Sequence, residues 1–319
     1  MSRTFEQFVR FTTDAAGLER TFRLFQALAQ ILSSYTLPFQ CLLFLLSLLP
    51  SSPSSSSLDG SDGTSKAVVD AATTHAVLLG LRAQLALARR YFRLFRFLES
   101  FQAAQRLYHS LSLPPPPPGR GRGRRETAAV WVDVLGRTFN GMYLLLEAST
   151  IADAQRVPGL ALWGPAREPT VAVEGQRFWL LSLVCGVLAG CLRIADVVLG
   201  PEGGGAGRRD GKAGTEEDVG GAGADEKVAP AAGGKGEGMG KGKGETDADV
   251  RRRREARSVV AALGRRVVSD ALDITLPGSV VGWVPASAGT VGVAMFVTTI
   301  LTSVDIWERC GREVAAGGK

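Results

Sequence analysis

Cysteine and histidine are scarce in this chain. Its 319 residues hold four cysteines (Cys41, Cys185, Cys191 and Cys310) and two histidines (His75 and His109). Cysteines so few and so scattered exclude a disulfide scaffold. Neither histidine lies near a cysteine or a paired carboxylate in the sequence. No HExxH, CxxC or GxSxG occurs, so the zinc and hydrolase motifs are missing. Gly211-Lys212 and Gly240-Lys241 belong to no GxxxxGK[ST] and follow no predicted strand, so their glycines read as flexibility rather than a phosphate cradle. Asp270 and Asp273, three apart beside Arg265 and Arg266, read as a helix-surface ion-pair cluster. No catalytic, cofactor-binding or metal-ligating residue is assigned, and the chain reads as non-enzymatic.

Charge is missing from long stretches. None occurs from Leu24 to Leu58, from Phe178 to Leu192, or over the 31 residues from Ile274 to Val304. Such runs exclude a fully disordered chain, because they would not stay solvated. An early apolar core is also lacking: Arg3, Glu6, Arg10 and Asp14 interrupt it, so no secretory leader is expected. The closing Gly317-Gly318-Lys319 is not the tripeptide that addresses soluble proteins to the peroxisome matrix.

What is present is helical periodicity between three low-complexity connectors. Pro50–Lys66 is serine-rich, Pro114–Arg125 reads PPPPPGRGRGRR, and Gly200–Val250 holds 17 of the 39 glycines with a net charge of −4. Each reads as a solvated connector. The basic runs carry no interleaved aromatics, so nucleic acid is not an expected partner. The resulting organisation is N-terminal helices in 1–113, a Pro/Arg-rich linker in 114–127, central helices in 128–199, a disordered Gly-rich linker in 200–250, and a C-terminal membrane segment with its tail in 251–319.

A first helix is predicted from Thr13 or Asp14 as N-cap, with Leu18, Phe22, Phe25, Ala29 and Leu32 on one face. Ile31–Leu49 has spanning length, but Pro38 leaves a bent hairpin equally open. Further helices are predicted over 67–111, over 128–154 and from Gln176. The last carries Gly186-x-x-x-Gly190, which suits close helix contact in a membrane or in a soluble bundle. Residues 286–304 are long enough to cross a hydrocarbon core of roughly 30 Å, with Trp283 and Trp307 at the ends where indole rings favour the headgroup zone.

The segment Leu78–Leu111 carries the candidate site. At 100° per residue, Arg82, Arg89, Arg90, Arg93 and Arg96 share an arc of roughly 120°. Leu87, Tyr91, Phe92, Leu94, Phe95, Leu98 and Phe101 fill the complementary arc. A basic face against an aromatic-aliphatic one is the make-up of a helix lying in a membrane surface, here one carrying anionic lipid. A bundle helix with a solvated arginine face is the competing reading.

The order of TTDAAGLERTFRLFQALAQIL, ARRYFRLFRFLESFQAAQRL, GQRFWLLSLVCGVL and DALDITLPGSVVGWV resembles the peroxin 11 family, in its fungal branch with low-complexity loops. The resemblance implies a peroxisomal membrane protein that promotes elongation, proliferation and division of the organelle. It also implies self-association and contact with the fission machinery and with the import receptor for peroxisomal membrane proteins. The fold class expected is all-α: a membrane-associated helical bundle with an amphipathic interfacial helix and a C-terminal hydrophobic hairpin or transmembrane helix. Two other functions stay open, a membrane pore for small metabolites and a soluble helical interaction protein.

Overall fold

A computed structural model describes residues 2–48, 71–112, 124–199 and 247–317. The connector Pro50–Lys66 lies outside the described residues, as do 114–127 up to residue 123 and 200–250 up to residue 246. The described residues fold into helices joined by turns: α1 (Arg3–Thr13), α2 (Ala15–Ser34), α3 (Thr36–Leu48), α4 (Ala71–Phe92), α5 (Arg96–Ser112), α6 (Arg124–Ser149), α7 (Ile151–Ala154), α8 (Gly164–Leu199), α9 (Asp247–Asp273), α10 (Thr275–Val281) and α11 (Ala288–Gly317). The chain is all-α, as its periodicity predicts.

Local signals set the boundaries. Asp14 is extended, and its Oδ1 accepts from the N–H groups of Ala16 and Gly17 at 3.0 Å each, capping α2. Tyr35 is extended as well, so α3 leaves α2 at 101° instead of continuing it. The charge-free run 31–49 is therefore bent, with Pro38 in the first turn of α3, where a missing N–H costs little. Helix α8 begins at Gly164, well before Gln176. Its start is fixed by Asp153, whose carboxylate accepts from the N–H groups of Leu162, Trp163 and Gly164. The expected helix 128–154 begins at Arg124 and is broken at Thr150 into α6 and α7.

Two packing centres organise the bundle. In one, α8 lies along α6 and α9. Gly186 and Gly190 face α9: a Cβ at Gly190 would sit 2.3 Å from Val267 Cγ2, and one at Gly186 would sit 2.7 Å from Asp270 Oδ2. The small-x-x-x-small pair is thus a contact face. Gly190→Ala is expected to lower stability by about 1–3 kcal/mol, because β-branched Val267 is stiff. Gly186→Ala should cost clearly less, since the end of the Asp270 side chain swings aside. Thermal unfolding of the two variants in detergent checks the order, and equal losses would mean that α8 and α9 do not meet along this face.

In the other centre, α11 packs against α2 and α9, with α1 across its C-terminal end. Arg23 of α2 donates to Asp273 of α9 at 2.5 Å and to Thr298 of α11 at 3.0 Å, and Thr298 donates to Asp273 at 2.6 Å. All three residues are buried. Helices α8 and α11 (Gly164–Leu199 and Ala288–Ala316) are long and apolar enough to cross a membrane. Each turns part of its apolar surface outward, Leu181 and Leu188 on α8 and Val293, Val297 and Ile300 on α11.

Candidate functional site

The segment 78–111 forms two helices rather than one. At Arg93-Leu94-Phe95 the backbone tightens to i→i−3 bonds: Arg93 N–H to Arg90 O, Leu94 to Tyr91, Arg96 to Arg93 and Leu98 to Phe95. The physical reason is an acid on each side. Glu147 of α6 pulls Arg93 inward at 2.9 Å, and Glu19 of α2 holds Arg89 at 3.3 Å and Arg96 at 3.6 Å. Helix α4 leans on α2, where Phe22 and Phe92 pack 5.5 Å apart. Helix α5 leans on α6, where Ser100 Oγ donates to Arg137 O at 2.8 Å and Phe101 fills the space a side chain at Gly141 would need.

This corner sorts the arginines differently from a continuous helical wheel. Arg89 is 8% exposed and donates to Gln26 Oε1 at 2.8 Å as well as to Glu19. Burial, with the like charges of Arg93 and Arg23, brings its guanidinium down to about 10. Arg93 reaches Tyr143 Oη at 3.1 Å and lies over that ring, 5.9 Å from its centre. Burial works to lower its pKa, but Tyr143, Glu147 and Glu19 outweigh that and raise it. The Tyr143 hydroxyl, itself donating to Glu147 at 3.0 Å, is pushed up to about 12 by burial. Arg96 is exposed and Arg82 and Arg90 are half-buried, whereas the Arg93 side chain keeps only 14% of its surface in the open.

The apolar residues divide too. Leu87, Leu94 and Phe101 are partly covered by the bundle. Tyr91, Phe92, Phe95 and Leu98 stand exposed around the corner, Phe95 at 69% and Leu98 at 57%. Of these four side chains Phe92 has a ring partner, Phe22, and together the four form an exposed apolar patch of the kind that marks contact sites. The sequence reading singled out this segment and missed Glu19, Gln26, Tyr143 and Glu147 as partners of its arginines. One signal was available for the first: Glu19 is the sole carboxylate between Asp14 and Asp59.

Set beside known proteins, residues 65–307 match the family model described as peroxisomal biogenesis factor 11 (PEX11). No curated protein and no solved structure matches the chain. Helices α1–α3, which supply Glu19 and Arg23, precede the matched span. That span covers most of the sequence and contains the α4–α5 corner, the glycine contact on α8 and most of α11. The chain therefore belongs to the peroxisomal biogenesis factor 11 family, which is associated with the peroxisomal membrane, has a role in peroxisome division and proliferation, and is not known as an enzyme family.

Proposed function

We propose that this chain remodels the peroxisomal membrane without enzymatic chemistry by seating the α4–α5 corner in one leaflet while α8 and α11 hold it in the bilayer. The observation that carries this reading is the exposed group Tyr91, Phe92, Phe95 and Leu98, framed by the part-exposed Arg82, Arg90 and Arg96. Burying each apolar side chain contributes about 1.5–3 kcal/mol, whereas each arginine at an anionic surface contributes about 1 kcal/mol. The aromatic residues thus dominate attachment, and the arginines tune it toward anionic lipid. A wedge in one leaflet expands that leaflet and favours curvature. Self-association, and contact with the fission machinery and the import receptor that the family resemblance implies, belong to the same reading.

The metabolite-pore reading gains less support. The hydroxyls of Thr299, Thr302 and Ser303 donate to Met295 O, Thr298 O and Thr299 O of their own helix, leaving α11 little polar surface to line a channel. A soluble interaction protein fits poorly with the outward apolar residues of α8 and α11.

Full-length protein reconstituted into anionic vesicles tests the proposal. Phe95→Glu with Leu98→Glu, both at exposed positions, should leave folding intact and abolish tubulation. Arg82→Ala with Arg96→Ala should only weaken it and increase its sensitivity to salt. Tubulation by the glutamate pair at the wild-type level would refute the corner as the remodelling element.

A further inference from the structure

Behind the corner lies a charge imbalance of which the membrane reading uses only Arg90 and Arg96. Six guanidiniums gather there: Arg20 and Arg23 from α2, Arg89 and Arg90 from α4, Arg93 from the turn and Arg96 from the start of α5. Four carboxylates answer them. Glu19 takes Arg89, Arg93 and Arg96, Glu147 takes Arg90 and Arg93, Asp273 takes Arg23, and Glu99 takes Arg96 from the solvent side. The excess is two positive charges. Arg20 is within electrostatic reach of Glu19, Arg23, Asp273 and Arg96, yet among the described residues it makes no hydrogen bond or ion pair. The Nε atoms of Arg20, Arg23 and Arg89 are buried without a partner. Arginine cannot shed its proton to escape burial, and a buried charge left unpaired is costly. A bound anion is the simplest counterpart to this charge.

We propose that a phosphate group, presented by an anionic lipid headgroup, completes this cluster between α2 and the α4–α5 corner, with Arg20 and Arg96 binding its oxygens. Arg96 is half exposed and Arg20 partly so, which leaves both accessible from outside the bundle. The proposal rests on the reading of that corner as membrane-facing. Guanidinium forks match phosphate oxygens in pairs. An excess of two charges matches a phosphomonoester, which carries about −1.5 to −2 at neutral pH. A phosphodiester headgroup presents a single phosphate charge and fits less well.

The test uses full-length protein in an uncharged detergent, followed by phosphorus NMR and thermal unfolding. It is titrated with short-chain phosphatidic acid, short-chain phosphatidylserine and inorganic phosphate. Phosphatidic acid should bind at least about tenfold more tightly than phosphatidylserine. Arg20→Gln should erase that preference without lowering the unfolding midpoint, because Arg20 has no ion pair to lose. Arg20→Lys keeps the charge but not the fork, and should restore only part of the preference. Binding of inorganic phosphate with the same dependence on Arg20 would show that the headgroup chemistry suffices, while binding of phosphatidic acid alone would show that the acyl chains are needed as well. Equal affinity for the two lipids, or an Arg20→Gln variant that binds phosphatidic acid as tightly as the parent, would overturn the site. If vesicle tubulation persists in that case, the remodelling role of the corner stands and only the phosphate site falls.

Discussion

Replacing Arg23 by methionine is expected to cost about 3–5 kcal/mol of folding stability, the penalty for breaking a buried ion pair from one side. Arg23 joins α2 to α9 and α11 through Asp273 and Thr298, and the exposure of those three residues is 5%, 7% and 0%. The variant leaves the Asp273 carboxylate with one hydroxyl donor and no cation. Removing both charges is a different matter: Arg23→Met with Asp273→Leu should recover most of the loss, because matched apolar side chains avoid the desolvation that the pair carries. Thr298 keeps an acceptor in that double variant, since its hydroxyl also lies 3.3 Å from Met295 O. Denaturation in detergent, read as a double-mutant cycle, decides the matter. A single variant within about 1 kcal/mol of the parent would mean that the pair is not buried in the working protein. The prediction also concerns organisation. Arg23 precedes the span that matches the family model, yet it ties together α9 and α11 within that span. Helix α2 is thus part of the bundle and not an appendage to it.

How far the sequence alone leads can be judged from particular residues. The Asp14 cap and the apolar run of α11 were legible, whereas the bend after Tyr35 was one of two readings that Pro38 left open, and the Gly186 and Gly190 pair suited contact in a membrane or in a soluble bundle alike. Each rests on a local rule: a capping side chain, a helix-disfavouring residue near a run, a small-residue pair, an uninterrupted apolar length. The break at Arg93 was not legible, because nothing local forbids a helix there. ARRYFRLFRFLE is a good amphipathic helix by its own periodicity, and the competing force comes from Glu19 and Glu147, 74 residues N-terminal and 54 residues C-terminal to Arg93. A helical wheel treats all arginines on one face alike. Tertiary pairing draws Arg89 and Arg93 into the bundle, while Arg90 and Arg96, though paired to Glu147 and Glu19, keep about a third and a half of their side chains exposed. On the apolar half of the wheel Tyr91, Phe92, Phe95 and Leu98 stand exposed, whereas Leu87, Leu94 and Phe101 are partly covered by helices that no local pattern announces.

The other large effect is expected on α11. Val297→Arg together with Ile300→Arg should release the protein from membranes washed with alkaline carbonate. The two positions are three apart on one face, 37% and 47% exposed, whereas Thr298 and Thr299 between them are buried against the bundle. New charges at Val297 and Ile300 therefore meet whatever surrounds the bundle, with its core untouched. In water they would matter little, as exposed substitutions usually do. At the centre of a spanning helix each costs about 2.5–3.5 kcal/mol on insertion scales, so the pair removes about 5–7 kcal/mol of anchoring free energy. The same two arginines thus discriminate between a membrane anchor and a soluble bundle. Thr298→Val with Thr299→Val serves as the control: it disturbs the Asp273 contact and destabilises the fold, but makes the helix more apolar and should leave the protein in the pellet. If the double arginine variant sediments as firmly as the parent, α8 is the principal anchor, and the same substitutions moved to its outward Leu181 and Leu188 should then release the chain.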